Sequence, residues 1–144
     1  QNGGKMEYKQ IGNHYVMRVD PGEEILEKIE ELCRRENIRA GSAVGLGASN
    51  RAVVGLFDTR NKVYQKKELT GPMEITSLVG NISTKDGETY LHFHVNLCDE
   101  EMRIRGGHMN ACYVSATAEI TVTKLEGTIE RRMDEEIGLN LYRF

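Results

Sequence analysis

Tyr90-Leu-His-Phe-His-Val-Asn-Leu97 decides how this chain is read. Successive side chains of an extended strand point to opposite faces. One face then carries Tyr90, His92, His94 and Asn96, and the other Leu91, Phe93, Val95 and Leu97. That division suits a strand whose back lies in a core and whose front lines a polar pocket. Two imidazoles at His92 and His94 stand about 6.6–7 Å apart along one face, a separation from which two ring nitrogens can converge on one ion. A third histidine, His108, follows Gly106-Gly107. Three histidines would form a catalytic-type zinc set with one coordination position open. A transition-metal site is the sharpest expectation the sequence offers, and the plain alternative is that the histidines merely line a polar sheet face.

Whether His108 reaches the other two depends on hairpin register. A two-residue turn at Asp99-Glu100 pairs Leu97 with Met102 and Val95 with Ile104, and leaves His108 opposite Leu91, on the wrong face. A one-residue bulge at Gly106-Gly107 restores the parity and sets His108 across from His92. A ligand from a neighbouring subunit is the other solution, and the sequence does not choose between them.

Outward from this segment the chain reads as strands with one helix. Asp20-Pro-Gly-Glu23 has the form of an N-cap, a proline at the first helical position and a glutamate three residues after the cap. Ile25, Leu26, Ile29, Leu32 and Cys33 recur at helical spacing, Arg34 and Arg35 fall in the last turn, and Asn37 serves as C-cap. Strands are expected over His14–Val19, Ser42–Leu46, Arg51–Phe57, Val63–Leu69, Met73–Ser83 and Ala118–Leu125. Gly45-Leu-Gly-Ala-Ser-Asn50 reads as a turn region, Gly71-Pro72 as a break and Lys85-Asp86-Gly87 as a tight turn. Gly127 ends the last strand before a charged tail. The fold class expected is α+β, a mixed, largely antiparallel sheet with one principal amphipathic helix packed against it. Residues 8–144 are expected to form a single domain, with residues 1–7 set aside as a disordered or expression-derived N-terminus.

A chain of 144 residues is large enough to bury ~68–70% of its unfolded surface without disulfides. Its three cysteines are odd in number and lack Cys-x-x-Cys spacing, so neither a disulfide framework nor a zinc knuckle is implied. A cytoplasmic location is the default. No stretch approaches the ~20 apolar residues of a membrane span. Nineteen basic residues against 22 acidic give a net charge of −3, without the basic stripe that phosphate neutralisation needs. Lys66-Lys67 and Arg131-Arg132 read as solvated surface. His14 reads as a surface or core-edge residue, Cys98 and Cys112 as small core residues. Glu74 is the candidate base or a second partner for an imidazole, with an exposed strand glutamate as the plain alternative.

The order of these segments resembles a known family. Val-Asp-Pro-Gly-Glu-Glu-Ile25 before the helix, Gly45-Leu-Gly-Ala-Ser49, Gly71-Pro-Met-Glu-Ile-Thr-Ser-Leu-Val-Gly-Asn81, Leu91-His-Phe-His-Val-Asn-Leu97 and Ile104-Arg-Gly-Gly-His-Met109 together resemble the PPC domain of plants and prokaryotes. The match is to its stand-alone prokaryotic form. The resemblance implies an α+β fold, a homotrimer, and metal ligation, usually of zinc, by His92, His94 and His108. Glu74 falls on the glutamate of the family's Glu-Ile-x-Ser-Leu-x-Gly segment. The Arg-Phe pair that precedes it in plant members, where it contributes to partner binding, is Pro72-Met73 here. Plant members also carry AT-hooks, which this chain lacks.

Three functions follow as expectations. The first is a trimeric zinc-binding module for a small ligand or a protein. The second is a zinc-dependent hydrolase or lyase with Glu74 as general base. The third is a DNA-binding regulator by family analogy.

Overall fold

The structure is a computed structural model and describes residues 6–144. Of the N-terminal segment set aside above, residues 1–5 lie outside the described residues. Met6 is buried and Glu7 opens the first strand, so these two residues of the segment set aside belong to the fold. The elements run β1 (Glu7–Ile11), β2 (His14–Val19), α1 (Ile25–Glu36), β3 (Gly41–Asp58), β4 (Val63–Lys85), β5 (Glu88–Cys98), β6 (Ile104–Lys124), β7 (Glu130–Asp134) and β8 (Leu139–Arg143). One short helix against a predominantly β molecule agrees broadly with the α+β expectation.

Four long strands organise everything else. β3 pairs with β4 and β6, and β5 closes the ring by pairing with the far sides of both β4 and β6. All these pairings are antiparallel. The β1–β2 hairpin extends the sheet from β6, and the β7–β8 hairpin joins β4 through one parallel pair, Thr84 with Glu130. The sheet is therefore mixed and largely antiparallel.

The inner face of this sheet is the core. Tyr15, Met17 and Val19 of β2, Ala118, Ile120 and Val122 of β6, and Phe93, Val95 and Leu97 of β5 are all buried, as strict alternation requires. α1 closes over them with Ile25, Ile29, Leu32 and Cys33, its one apolar stripe. Gly80, paired with Phe93, leaves room for the aromatic ring: a Cβ there would collide with it.

The helix starts later than its sequence suggests. Asp20-Pro-Gly-Glu23 is a reverse turn, closed by the Glu23 amide on the Asp20 carbonyl, with Gly22 at φ +87° where an αR residue would be needed. Gly22 and Glu23 pair with the backbone of Val114, and Glu24 bridges Tyr113, so this segment is held extended by β6. The N-cap is consequently Glu24, whose buried carboxylate accepts from Leu26 N, Glu27 N and Cys112 N. Asn37 is the C-cap in the left-handed conformation, as expected.

Several strand boundaries also differ. The turn expected at residues 45–50 is instead a pair of β-bulges within an uninterrupted β3. Gly71, at φ +101°, bends β4 without ending it. β6 begins at Ile104, fourteen residues before the expected strand. The Lys85-Asp86-Gly87 turn is where it was expected, with Asp86 and Gly87 both at positive φ. The charged tail folds as the β7–β8 hairpin.

Candidate metal centre

The β5–β6 connection spans residues 99–103, with Asp99 accepting from the amides of Glu101 and Arg103. This five-residue loop pairs Cys98 with Ile104 and so places His94 directly opposite His108. The expected partner was His92, reached through a glycine bulge. The loop length restores the parity instead, and Gly106 and Gly107 pair in register with Asn96 and Val95. The glycines serve close approach. A Cβ on Gly106 would collide with the Val95 carbonyl, and one on Gly107 would lie 2.7 Å from the Gly55 carbonyl. His108 is thus pressed between β5 and β3, where it pairs with Gly55.

His92, His94 and His108 converge within one chain, with one ligand nitrogen from each lying within 4.8 Å of the others. The Nε2 atoms of His92 and His94 are 3.2 Å apart. Two ligands at ~2.0–2.1 Å from a tetrahedral zinc stand roughly 3.3 Å from each other, so this edge of the triad already has the required length. Burial, and then the neighbouring His108 and His94, hold the imidazolium of His92 off, lowering its pKa to about 4. Burial and His94 likewise push that of His108 down. Neutral rings present lone pairs, the form a metal needs. The donor set therefore fits a divalent transition ion.

The triad opens into a cavity of about 700 Å³. Leu56, Phe57 and Tyr64, from the β3–β4 end, form one wall, and Leu139, Asn140 and Leu141 of β8 form another. Asn110 and Tyr64 are joined by a 2.6 Å hydrogen bond, and the Tyr64 ring stands edge-on to His108. Arg131 lines the same cavity. It was read as solvated surface and is 9% exposed. It donates from Nε to Ser83 Oγ, from Nη1 to the Asn140 carbonyl and from Nη2 to Asn81 Oδ1, and stacks between Tyr90 and Tyr142. A signal for this hairpin existed in Gly138 followed by alternating Leu139-Asn-Leu-Tyr142.

The remaining candidates stay apart from the triad. Glu74 is exposed, pairs with Cys98 and does not line the cavity. Its pairing position is four residues along β5 from His94, roughly 13 Å at ~3.3 Å per residue. His14 begins β2 at its turn with β1, its Nδ1 2.9 Å from Thr123 Oγ1. Cys112 is buried as expected, whereas Cys98 at the end of β5 is only half-buried, its Sγ against the Asp99 carbonyl. Lys66 and Lys67 are exposed as expected.

Residues 6–126 match the Plants and Prokaryotes Conserved (PCC) domain, and the chain belongs to that family. Among solved structures, a protein of Bacteroides thetaiotaomicron, named as a candidate DNA-binding protein, superposes with a TM-score of 0.94 at 30% identity, covering 96% of this chain and 97% of its own. A metal-containing protein of Archaeoglobus fulgidus gives 0.87 at 36%, covering 97% and 99%. A plant- and prokaryote-conserved protein of Pyrococcus horikoshii gives 0.85 at 35%, covering 100% and 98%. The chain is also 28% identical over 127 residues to the bifunctional protein GlmU of a Synechococcus strain, spanning 19% of that protein's length. No helix among the described residues is long and apolar enough to cross a membrane.

Proposed function

We propose that this chain is a metal-binding module in which His92, His94 and His108 hold zinc or a similar divalent ion facing a ligand cavity. The observation that carries this reading is the convergence of three imidazole nitrogens within 4.8 Å at the mouth of that cavity. The metal content of the Archaeoglobus relative supports it. When bound, such an ion supplies a Lewis-acidic coordination position for a ligand oxygen or nitrogen.

The module is further proposed to act as a homotrimer. On the open face of the sheet, Val44 and Val79 pair with each other and are 59% and 55% exposed, next to Leu46 at 57%. An apolar strip of this kind is a normal subunit contact. Metal analysis and light scattering on untagged protein test both parts. One equivalent of zinc per chain, lost in His92→Ala, and a mass of three chains are expected. Less than a third of an equivalent, unchanged by the substitution, overturns the metal centre.

A second reading, DNA binding, draws on the names of the Bacteroides and Ralstonia relatives. The acidic balance of the chain weighs against it. The third, a zinc hydrolase using Glu74, would need a different base, because Glu74 lies outside the cavity.

A further inference from the structure

Apart from Tyr64 and Tyr90, the ionisable residues that line the cavity are cations or histidines. The chain carries 22 acidic residues, yet none of the fifteen lining residues is Asp or Glu, while Lys66 and Arg131 both are lining residues. Arg131 is the stronger feature. It is nine-tenths buried, and its three hydrogen-bond partners are neutral oxygens. A guanidinium taken out of water ordinarily has a carboxylate beside it, and this one has neutral oxygens and two aromatic rings. The rest of the wall is apolar, through Leu56, Phe57, Leu139 and Leu141. The volume lies within the ~300–1,000 Å³ of small-molecule sites.

Resting on the metal-centre reading above, we infer that this cavity binds a small carboxylate with an apolar body. The anionic oxygen lies toward the triad within the field of Arg131, and the hydrocarbon part lies against the β8 leucines. The ligand then supplies the counterion that Arg131 lacks among the described residues. A carboxylate is favoured over a dianionic phosphate because one buried cation and an apolar wall match a single charge on a hydrocarbon body. A cationic ligand is excluded by the same charge pattern.

The test uses the whole chain loaded with Co²⁺ and titrated with hexanoate, acetate, inorganic phosphate and hexylamine, followed by the cobalt visible spectrum and by calorimetry. Hexanoate is expected to bind at least tenfold more tightly than acetate or phosphate, and hexylamine not at all. Arg131→Gln should weaken hexanoate at least tenfold while one equivalent of cobalt is retained. Leu141→Glu, on the exposed edge of the hairpin, should do the same should Arg131→Gln fail to fold. Equal affinity for hexanoate and acetate, tighter phosphate, measurable hexylamine binding, or no effect of Leu141→Glu overturns the inference. Failure to bind cobalt would sink the metal centre alone. Calorimetry on metal-free protein then decides the cavity: a preference for hexanoate over hexylamine supports it, and none overturns it.

Discussion

The two faces of β5 carry the same backbone through two different environments. On the inner face Phe93, Val95 and Leu97 are each no more than 2% exposed and are packed beneath the helix layer. On the outer face His92 and His94 look onto a cavity open to solvent, and Asn96, outside that cavity, donates to Ser77 Oγ. Burial of hydrocarbon fixes where the strand lies. That rigidity then lets the outer residues be held close together without contributing much to stability. Three imidazoles crowded on one side are tolerable because the other side is well filled.

If this division of labour is right, the largest effect comes from the inner face. Phe93→Ala leaves a cavity under Gly80 and is expected to cost about 3–5 kcal/mol, measured as a shift of the urea midpoint. A loss under ~1 kcal/mol would mean that the core, not the strand's outer face, is the adaptable side. His94→Ala should separate the two faces. Without metal, its midpoint should move by no more than about 0.5 kcal/mol. With zinc at a hundredfold excess over its dissociation constant, the wild type gains about 2.7 kcal/mol, and the variant should gain almost none of it.

Acidification of the metal-free protein is a separate probe of the outer face. His92 binds its proton only near pH 4 in the fold, against 6.5 for a free imidazole. Between those values the unfolded chain takes up more protons than the folded one, so stability falls as pH is lowered through the window and recovers above it. His92→Gln should flatten that slope in denaturation curves taken at pH 4 to 7. A slope unaltered by His92→Gln would place the acid sensitivity elsewhere.

What could be read from the sequence follows the reach of each signal. His14–Val19 was legible to the residue, because alternation is local and both sides of β2 obey it. The αL cap at Asn37 was legible for the same reason. The helix start was not. Only the backbone of Tyr113 and Val114, some ninety residues away, keeps Gly22–Glu24 extended. The three histidines were visible as a set, but their register was not. It depends on a five-residue loop with Met102 at φ +60°, where no glycine marks the turn. Arg131 was lost among charges. Its burial comes from two tyrosines and an asparagine scattered over β4, β5 and β8, so no window of sequence contains the reason.

The family match ends at residue 126, and β7 begins at Glu130. The three imidazoles therefore belong to the part of the chain the family model describes, while Arg131 and the β8 leucines lie past its end. The hairpin that carries them joins the main sheet through one parallel pair, the bonds of its own arginine, Lys62 Nζ donating to the Glu136 carbonyl and Asn140 Nδ2 donating to the Tyr90 hydroxyl. A change in the cavity's apolar wall would then call for rewriting this last short segment only, leaving the strands that carry the three imidazoles as they are.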